Sequence, residues 1–229
     1  YFRNLLDAAL TAGVERIILI SFPHVEGETT PDRMAQGRLD GSPASVHART
    51  RLEEERLLFA KCQGTATEPV ILRAGMVYGP GVLMIEAGRW LLRRRLLAVW
   101  RRPTWMHLVA APDFLTAVQA AVERRTASGI LHLGDEQPLT LQEFLDRLAD
   151  QWGCSHAWRL PLWAIYAAAL GTEVFATVFR TPAPLTRDFV RIGTASYCGD
   201  TTRMRQELLP ELQYPTLAEG LGQFAAPSR

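Results

Sequence analysis

Along the first twelve residues apolar side chains recur every three or four positions. Phe2, Leu5, Leu6, Ala9 and Leu10 fall on one face and Arg3, Asn4, Asp7 and Thr11 on the other, the pattern of an amphipathic helix. Gly13 supplies its stop. The period then changes. Ile17-Ile18-Leu19-Ile20 is an unbroken apolar run after Glu15-Arg16, which predicts a strand covered on both faces in a parallel sheet, and Val70-Ile71-Leu72 and Ile130 to Leu133 read the same way. From Ser21 to Ala44 the chain is rich in Pro, Gly, Asp, Thr and Arg without periodicity, a long loop. Ser42-Pro43 offers an N-cap and a first-turn proline for a helix over 43–61, supported by an Arg51/Glu55 pair one turn apart.

Further helices are predicted over 85–97 and over 113–125, the latter with Phe114, Leu115, Ala117, Val118, Ala121 and Val122 turned inward. Thr140-Leu141-Gln142-Glu143 has the form of a capping box ahead of Phe144, Leu145, Leu148 and Trp152. Shorter helices are expected over 160–179, 201–209 and 216–222. Helices alternating with buried strands predict an α/β fold.

Composition narrows the functional classes. The 229 residues, 48% hydrophobic and 21% charged, suffice for a real core. Twenty-five basic against 24 acidic side chains leave a net charge of +1, so no nucleic-acid partner is expected. Cys62, Cys154 and Cys198 have no C-x-x-C spacing, which argues against disulfides and a zinc site and fits a reducing cytoplasm. No signal peptide is read at the start. His107, His132 and His156 show no metal-ligand spacing and are read as structural, so no metal is expected; Asp113 reads as a helix cap and Asp135 as a turn residue. Between Arg159 and Arg180 only Glu173 is charged, over a length that would cross a bilayer. Pro161, Gly171 and Glu173 count against spanning. The stretch is read as one or two ordinary helices, with contact between 160–179 and a membrane surface as the lesser alternative.

Three stretches together resemble the extended short-chain dehydrogenase/reductase family, the NAD(P)-dependent epimerases, dehydratases and hydroxysteroid-dehydrogenase-like reductases. They are Asn4-Leu5-Leu6-Asp7-Ala8-Ala9 through Ile20-Ser21; Arg51 to Leu58 with Ile71 to Gly81, which contains Val77-Tyr78-Gly79-Pro80-Gly81; and Gly129 to Asp135 with the ending Tyr214 to Leu221. The resemblance implies the C-terminal part of a Rossmann-type parallel sheet with helices on both faces, plus a small mixed α/β substrate domain. It divides the chain at 1–82 and 83–229, with some later segments returning to the Rossmann part. NAD or NADP is the implied cofactor, a sugar nucleotide or another hydroxyl- or ketone-bearing small molecule the implied substrate, and a homodimer through the helices near 1–12 and 43–61 the family habit. The adenosine-binding half is expected to be missing, since Gly79 and Gly81 are followed by Met84 and no G-x-G-x-x-G occurs.

The family's chemistry needs a tyrosine, a lysine four residues on, and a serine or threonine that orients the substrate oxygen. Alignment puts His47 at the tyrosine, Arg51 at the lysine and His24 at the hydroxyl position, and no Tyr-x-x-x-Lys occurs in the chain. Ser21, Ala74, Gly75 and Met76, together with His47 and Arg51, fall at cofactor-facing positions. Arginine keeps the charge but is planar and bulkier than an ammonium. Histidine transfers protons near neutral pH. Two readings stay open: a catalytically silent binding or assembly protein, and turnover through a rewired His47/Arg51 relay. The basic stretch Arg89, Arg93, Arg94, Arg95, Arg101 and Arg102 is read first as a solvated face, with a diphosphate grip as the alternative that the resemblance suggests.

Overall fold

The structure is a computed structural model and describes residues 1–123 and 127–224. Helix α1 (Phe2–Thr11) ends as the sequence demands. Gly13, at φ 67°, lets its own N–H reach the Leu10 carbonyl at 3.0 Å and the Val14 N–H reach that of Ala9 at 3.2 Å. The chain then enters β1 (Arg16–Ser21), passes a 3-10 turn at Pro23–Glu26 and a long loop, and forms α2 (Val46–Cys62) and β2 (Glu68–Ala74). Strands β3 (Met76–Tyr78), β4 (Ala98–Trp100), β5 (Trp105–Met106) and β6 (Leu108–Ala110) follow around α3 (Leu83–Arg93). Helix α4 (Ala111–Glu123), β7 (Gly129–Leu133), β8 (Leu139–Thr140), α5 (Leu141–Gln151), β9 (Trp158–Leu160), α6 (Leu162–Phe179), α7 (Arg187–Thr194), α8 (Thr202–Glu207) and α9 (Leu217–Gly220) complete the order.

The central sheet runs β1-β2-β7, all parallel. Alternation along the apolar runs divides the strands between two faces. Leu19 and Ile71 pack with Leu6, Leu58 and Cys62 under α1 and α2. Val70, Leu72, Leu131 and Leu133 pack with Ala117, Ala121, Met204 and Leu208 under α4 and α8. Coverage on both faces explains why these strands read as unbroken apolar runs. At the carboxyl end, register aligns Ser21, Arg73 and His132 in one row across the three strands. Two further cores lie beyond the sheet. Tyr78, Ile85, Met106, Leu108, Phe144 and Leu217 form one, and Leu92, Val99, Trp100, Ile165, Ala169 and Val190 the other; Leu141, Leu145 and Trp152 touch both.

Several local expectations need correction. Helix α2 is capped by Ser45, whose hydroxyl accepts from the Ala48 N–H at 3.0 Å, rather than by Ser42. Thr140 caps α5 by accepting from the Glu143 N–H, but the Glu143 carboxylate turns to Arg147, so only half of the predicted capping box forms. The complete box is Thr216/Glu219 at α9. Leu115 and Val122 face solvent, at 65% and 64% exposure, because the small residues Ala117, Ala120 and Ala121 make the contact with the sheet. Helix α7 and the two- and three-residue strands outside the central sheet were not foreseen, being too short for their periods to show.

The two faces of these helices give a direct check. Leu58→Ala empties a fully buried position between α2 and the sheet, and urea denaturation should show a loss of about 2–5 kcal/mol. Leu115→Ala should change stability by less than about 0.5 kcal/mol.

Candidate functional site

At the carboxyl ends of β1, β2 and β7 a charged network takes the place of apolar packing. Arg73 is fully buried near the carboxyl end of the apolar strand β2. Its Nε donates to both carboxylate oxygens of Glu55 at 3.2 Å, and one Nη donates to Glu55 at 2.5 Å and to the Arg38 carbonyl at 2.8 Å. The other Nη pairs with Glu26. Ser21 donates its hydroxyl to the far side of Glu55. Glu26 also accepts the backbone N–H groups of Gln36, Gly37 and Arg38 at 3.1, 2.7 and 3.0 Å. Burial alone would raise its pKa. The His132 ring at 3.6 Å, the Arg73 charge and those amides overrule it and hold the carboxyl at about 2. Glu26 thereby ties residues 36–38 of the long loop after β1 to the strand ends, and Thr29 and Ala35 bond residues 196–200.

Above this network lies an aromatic shelf. His24 sits between Phe22, edge-on at a centroid distance of 5.3 Å, and Tyr197 at 4.0 Å. Neither of its ring nitrogens has a hydrogen-bond partner, and the Ile192 carbonyl stands near without good geometry. Burial drives its pKa to about 3, against Ile192 and with the help of His47. It is a neutral ring at physiological pH. His47 is exposed and stacks parallel on the other side of Phe22, at 5.4 Å and 7°. The first turn of α2 is fixed from a distance: Asp188 on α7 accepts from the Val46 N–H at 3.0 Å and the His47 N–H at 3.4 Å. Arg51, one turn on, gives an Nη to Glu54 at 2.7 Å, and its shielded Nε has no partner.

The turn between β2 and β3 has a steric reason. A Cβ on Gly75 would stand 2.6 Å from the His107 carbonyl oxygen, so the close approach of β6 demands glycine. Ala74 packs into the sheet core and Met76 against the core around Tyr78. His107 accepts from the Gly199 N–H at 3.2 Å, and burial, with His132 nearby, lowers its pKa to about 4. Asp135, just past β7, is buried with both carboxylate oxygens unpartnered. The Gln137 and Leu108 amides lean toward it without good geometry, and burial raises its pKa to about 8.

No family model matches the chain. A stretch of 83 residues, 34% of the chain, is 35% identical to UDP-glucose 4-epimerase of Vibrio cholerae and covers 24% of that protein. MoeE5, solved in complex with UDP-glucuronic acid and NAD, is similar over 97% of this chain with a TM-score of 0.70 and 21% identity. UDP-glucuronic acid 4-epimerase from Bacillus cereus, in complex with NAD, is similar over 96% with a TM-score of 0.70 and 18% identity. The chain has the Rossmann-type α/β fold of these two structures. It spans 67% and 63% of those two proteins and about a quarter of the curated relative. The resemblance read from the sequence stands.

Within this fold His24 and His47 both pack on Phe22 just past β1, and Arg51 follows His47 by one turn of α2, with Glu54 as its partner. Ser21 is near them but spends its hydroxyl on Glu55. The expected Arg51/Glu55 pair does not form. Glu55 lies on the sheet side of α2, where Arg73 claims it, and Arg51 pairs with Glu54 instead. Asp113 does cap, but the cap is on a loop: its carboxylate accepts the Gln213 and Tyr214 amides at 2.7 and 3.0 Å. Glu26, Glu55, Phe22 and Tyr197 were missed. The available signal was a glutamate on the inner stripe of α2 opposite an arginine inside an apolar strand, since a buried charge needs a partner.

Two measurements test these electrostatics. Glu55→Ala leaves the buried Arg73 with Glu26 as its one carboxylate partner and should cost about 3–5 kcal/mol in urea unfolding. Asp135 holds its proton in the folded state from about pH 4 to 8, whereas the unfolded chain releases it near 4, so its burial costs stability as pH rises through that range. Asp135→Asn should raise the urea midpoint at pH 8, with the gain vanishing by about pH 4. In both proteins stability should fall from about pH 6.5 toward 3, as His24 and His107 take up protons only on unfolding.

Proposed function

We propose that this chain forms the nicotinamide and substrate side of an NAD(P)-binding protein of the epimerase/dehydratase type. Its ligand is a sugar nucleotide or another small molecule with a hydroxyl or ketone, and it binds rather than turns over. The residues present fit a cofactor ribose. The Nε of Arg51 and both nitrogens of His24 lack partners, and the His47 ring is exposed beside them, so polar atoms converge at the strand ends with nothing to bind. Bound NAD(P) would supply a hydride acceptor or donor. His47 and Arg51 would hold and orient it, with Phe22 backing the His47 ring.

The observation that carries the silent reading is the state of the three replacements. Arg51 shares its charge with Glu54, and a guanidinium cannot deprotonate. His24 is a buried neutral ring where a hydroxyl would orient substrate. That leaves no phenol-ammonium pair to move a proton. A second reading, acid/base turnover through His47, draws support from one fact: its ring is exposed and engaged only by stacking. The three unpaired cysteines agree with a reducing, cytoplasmic setting.

Titration with NADH and NADPH, followed by nicotinamide fluorescence, should give a saturable signal that Arg51→Ala weakens about tenfold. No turnover is expected over a panel of UDP-sugars and ketosteroids. Turnover abolished by His47→Ala would establish the second reading, and no saturable signal with either cofactor would overturn both.

A further inference from the structure

Helix α6 is the most apolar segment of the chain and among the least covered. It is long and apolar enough to cross a membrane, yet only 17% of it is buried. Ile165, Ala169 and Ala176 form one stripe, which packs toward β4 and α7. The opposite stripe is Trp163, Leu170, Val174 and Val178, at 73, 45, 55 and 67% exposure, flanked by Phe175 and Phe179, whose rings meet tilted at 4.4 Å. Because one stripe is committed to the protein core, α6 cannot traverse a bilayer without unpacking its domain. It can lie flat in an interface.

The charges at the two ends of this helix are of one sign. Near its start, β9 pairs with β4, and exposed Trp158 donates its indole N–H to the Arg95 carbonyl at 3.0 Å, which brings Arg93, Arg94, Arg95 and exposed Leu96 to that end. At its far end stands Arg180, the left-handed cap, while Arg191 is on α7, whose Val190 packs in the cluster of Ile165 and Ala169. Among the described residues Arg93, Arg95, Arg180 and Arg191 form no ion pair, and Arg94 only covers the Trp90 ring at 4.1 Å. The acidic groups close by are taken: Glu173 by Arg187, Asp146 by Arg159, Asp150 by His156 and Asp188 by the amides of α2. An apolar stripe about 27 Å long, with tryptophans beside it and free guanidinium groups at both ends, is complementary to a lipid surface with anionic headgroups. We infer that the exposed face of α6 docks this chain on an anionic membrane surface, with the helix in the plane of the interface and the arginines on lipid phosphates.

Flotation of the chain with vesicles tests this. With phosphatidylcholine containing three parts in ten phosphatidylserine, the chain should rise with the lipid, and binding should fall about fivefold or more on pure phosphatidylcholine or in 0.5 M salt. The double variant Val174→Asp/Val178→Asp changes only exposed positions; it should keep the circular dichroism of the parent and lose about tenfold or more in vesicle binding. Unchanged binding of that variant, or no binding of the parent, overturns the inference. So does a parent dimer, seen by sedimentation velocity, that the double variant splits while neither protein binds vesicles. That result would assign the face to a second copy of the chain.

Discussion

The Arg73 guanidinium holds the carboxyl end of the sheet together. It is a full positive charge withdrawn from water, and it is tolerable because two glutamates and the Arg38 carbonyl accept from its donors. The arrangement specifies more than it stabilises. Glu55 fixes the rotation of α2 about its axis, since only one face of the helix can present a carboxylate to β2. Glu26 gathers the backbone of residues 36–38, which fixes the course of a loop that has no regular structure of its own. Ser21 closes the row from β1. The aromatic shelf and the first turn of α2 take their places from these constraints.

What the sequence discloses and what it hides follow from range. The strands of the central sheet and the long helices were legible because their burial is periodic and local: the Ile17 to Ile20 run and the Leu6, Leu10 stripe carry their own evidence. That His47 and Arg51 share one face of α2 was legible because one helical turn separates them. The ion network was not. Arg51 and Glu55 make a reasonable pair on a helix considered alone, and only the strand supplied from residue 73 shows which glutamate belongs to which arginine. The inward face of α4 was misjudged for a related reason: large side chains were assigned to the core, whereas close helix-sheet approach selected alanines.

The candidate site and the ionic frame beside it rest on different side chains. Arg73, Glu55 and Glu26 tie the strand ends to α2 and to the loop after β1. His24, His47 and Arg51 make none of those hydrogen bonds: His24 and His47 pack on Phe22, and Arg51 pairs with Glu54. Changes at these three positions therefore leave the frame's own partners in place.

The Asp188 carboxylate gives the crevice a place in time as well as in space. It supplies partners to the amides of Val46 and His47 from 142 and 141 residues away. Ser45 caps the opening turn of α2 from next door, but the Val46 and His47 amides gain their carboxylate only after the last third of the polypeptide has been made and packed. The first turn of α2 therefore has its full set of hydrogen-bond partners only once α7 has packed beside it.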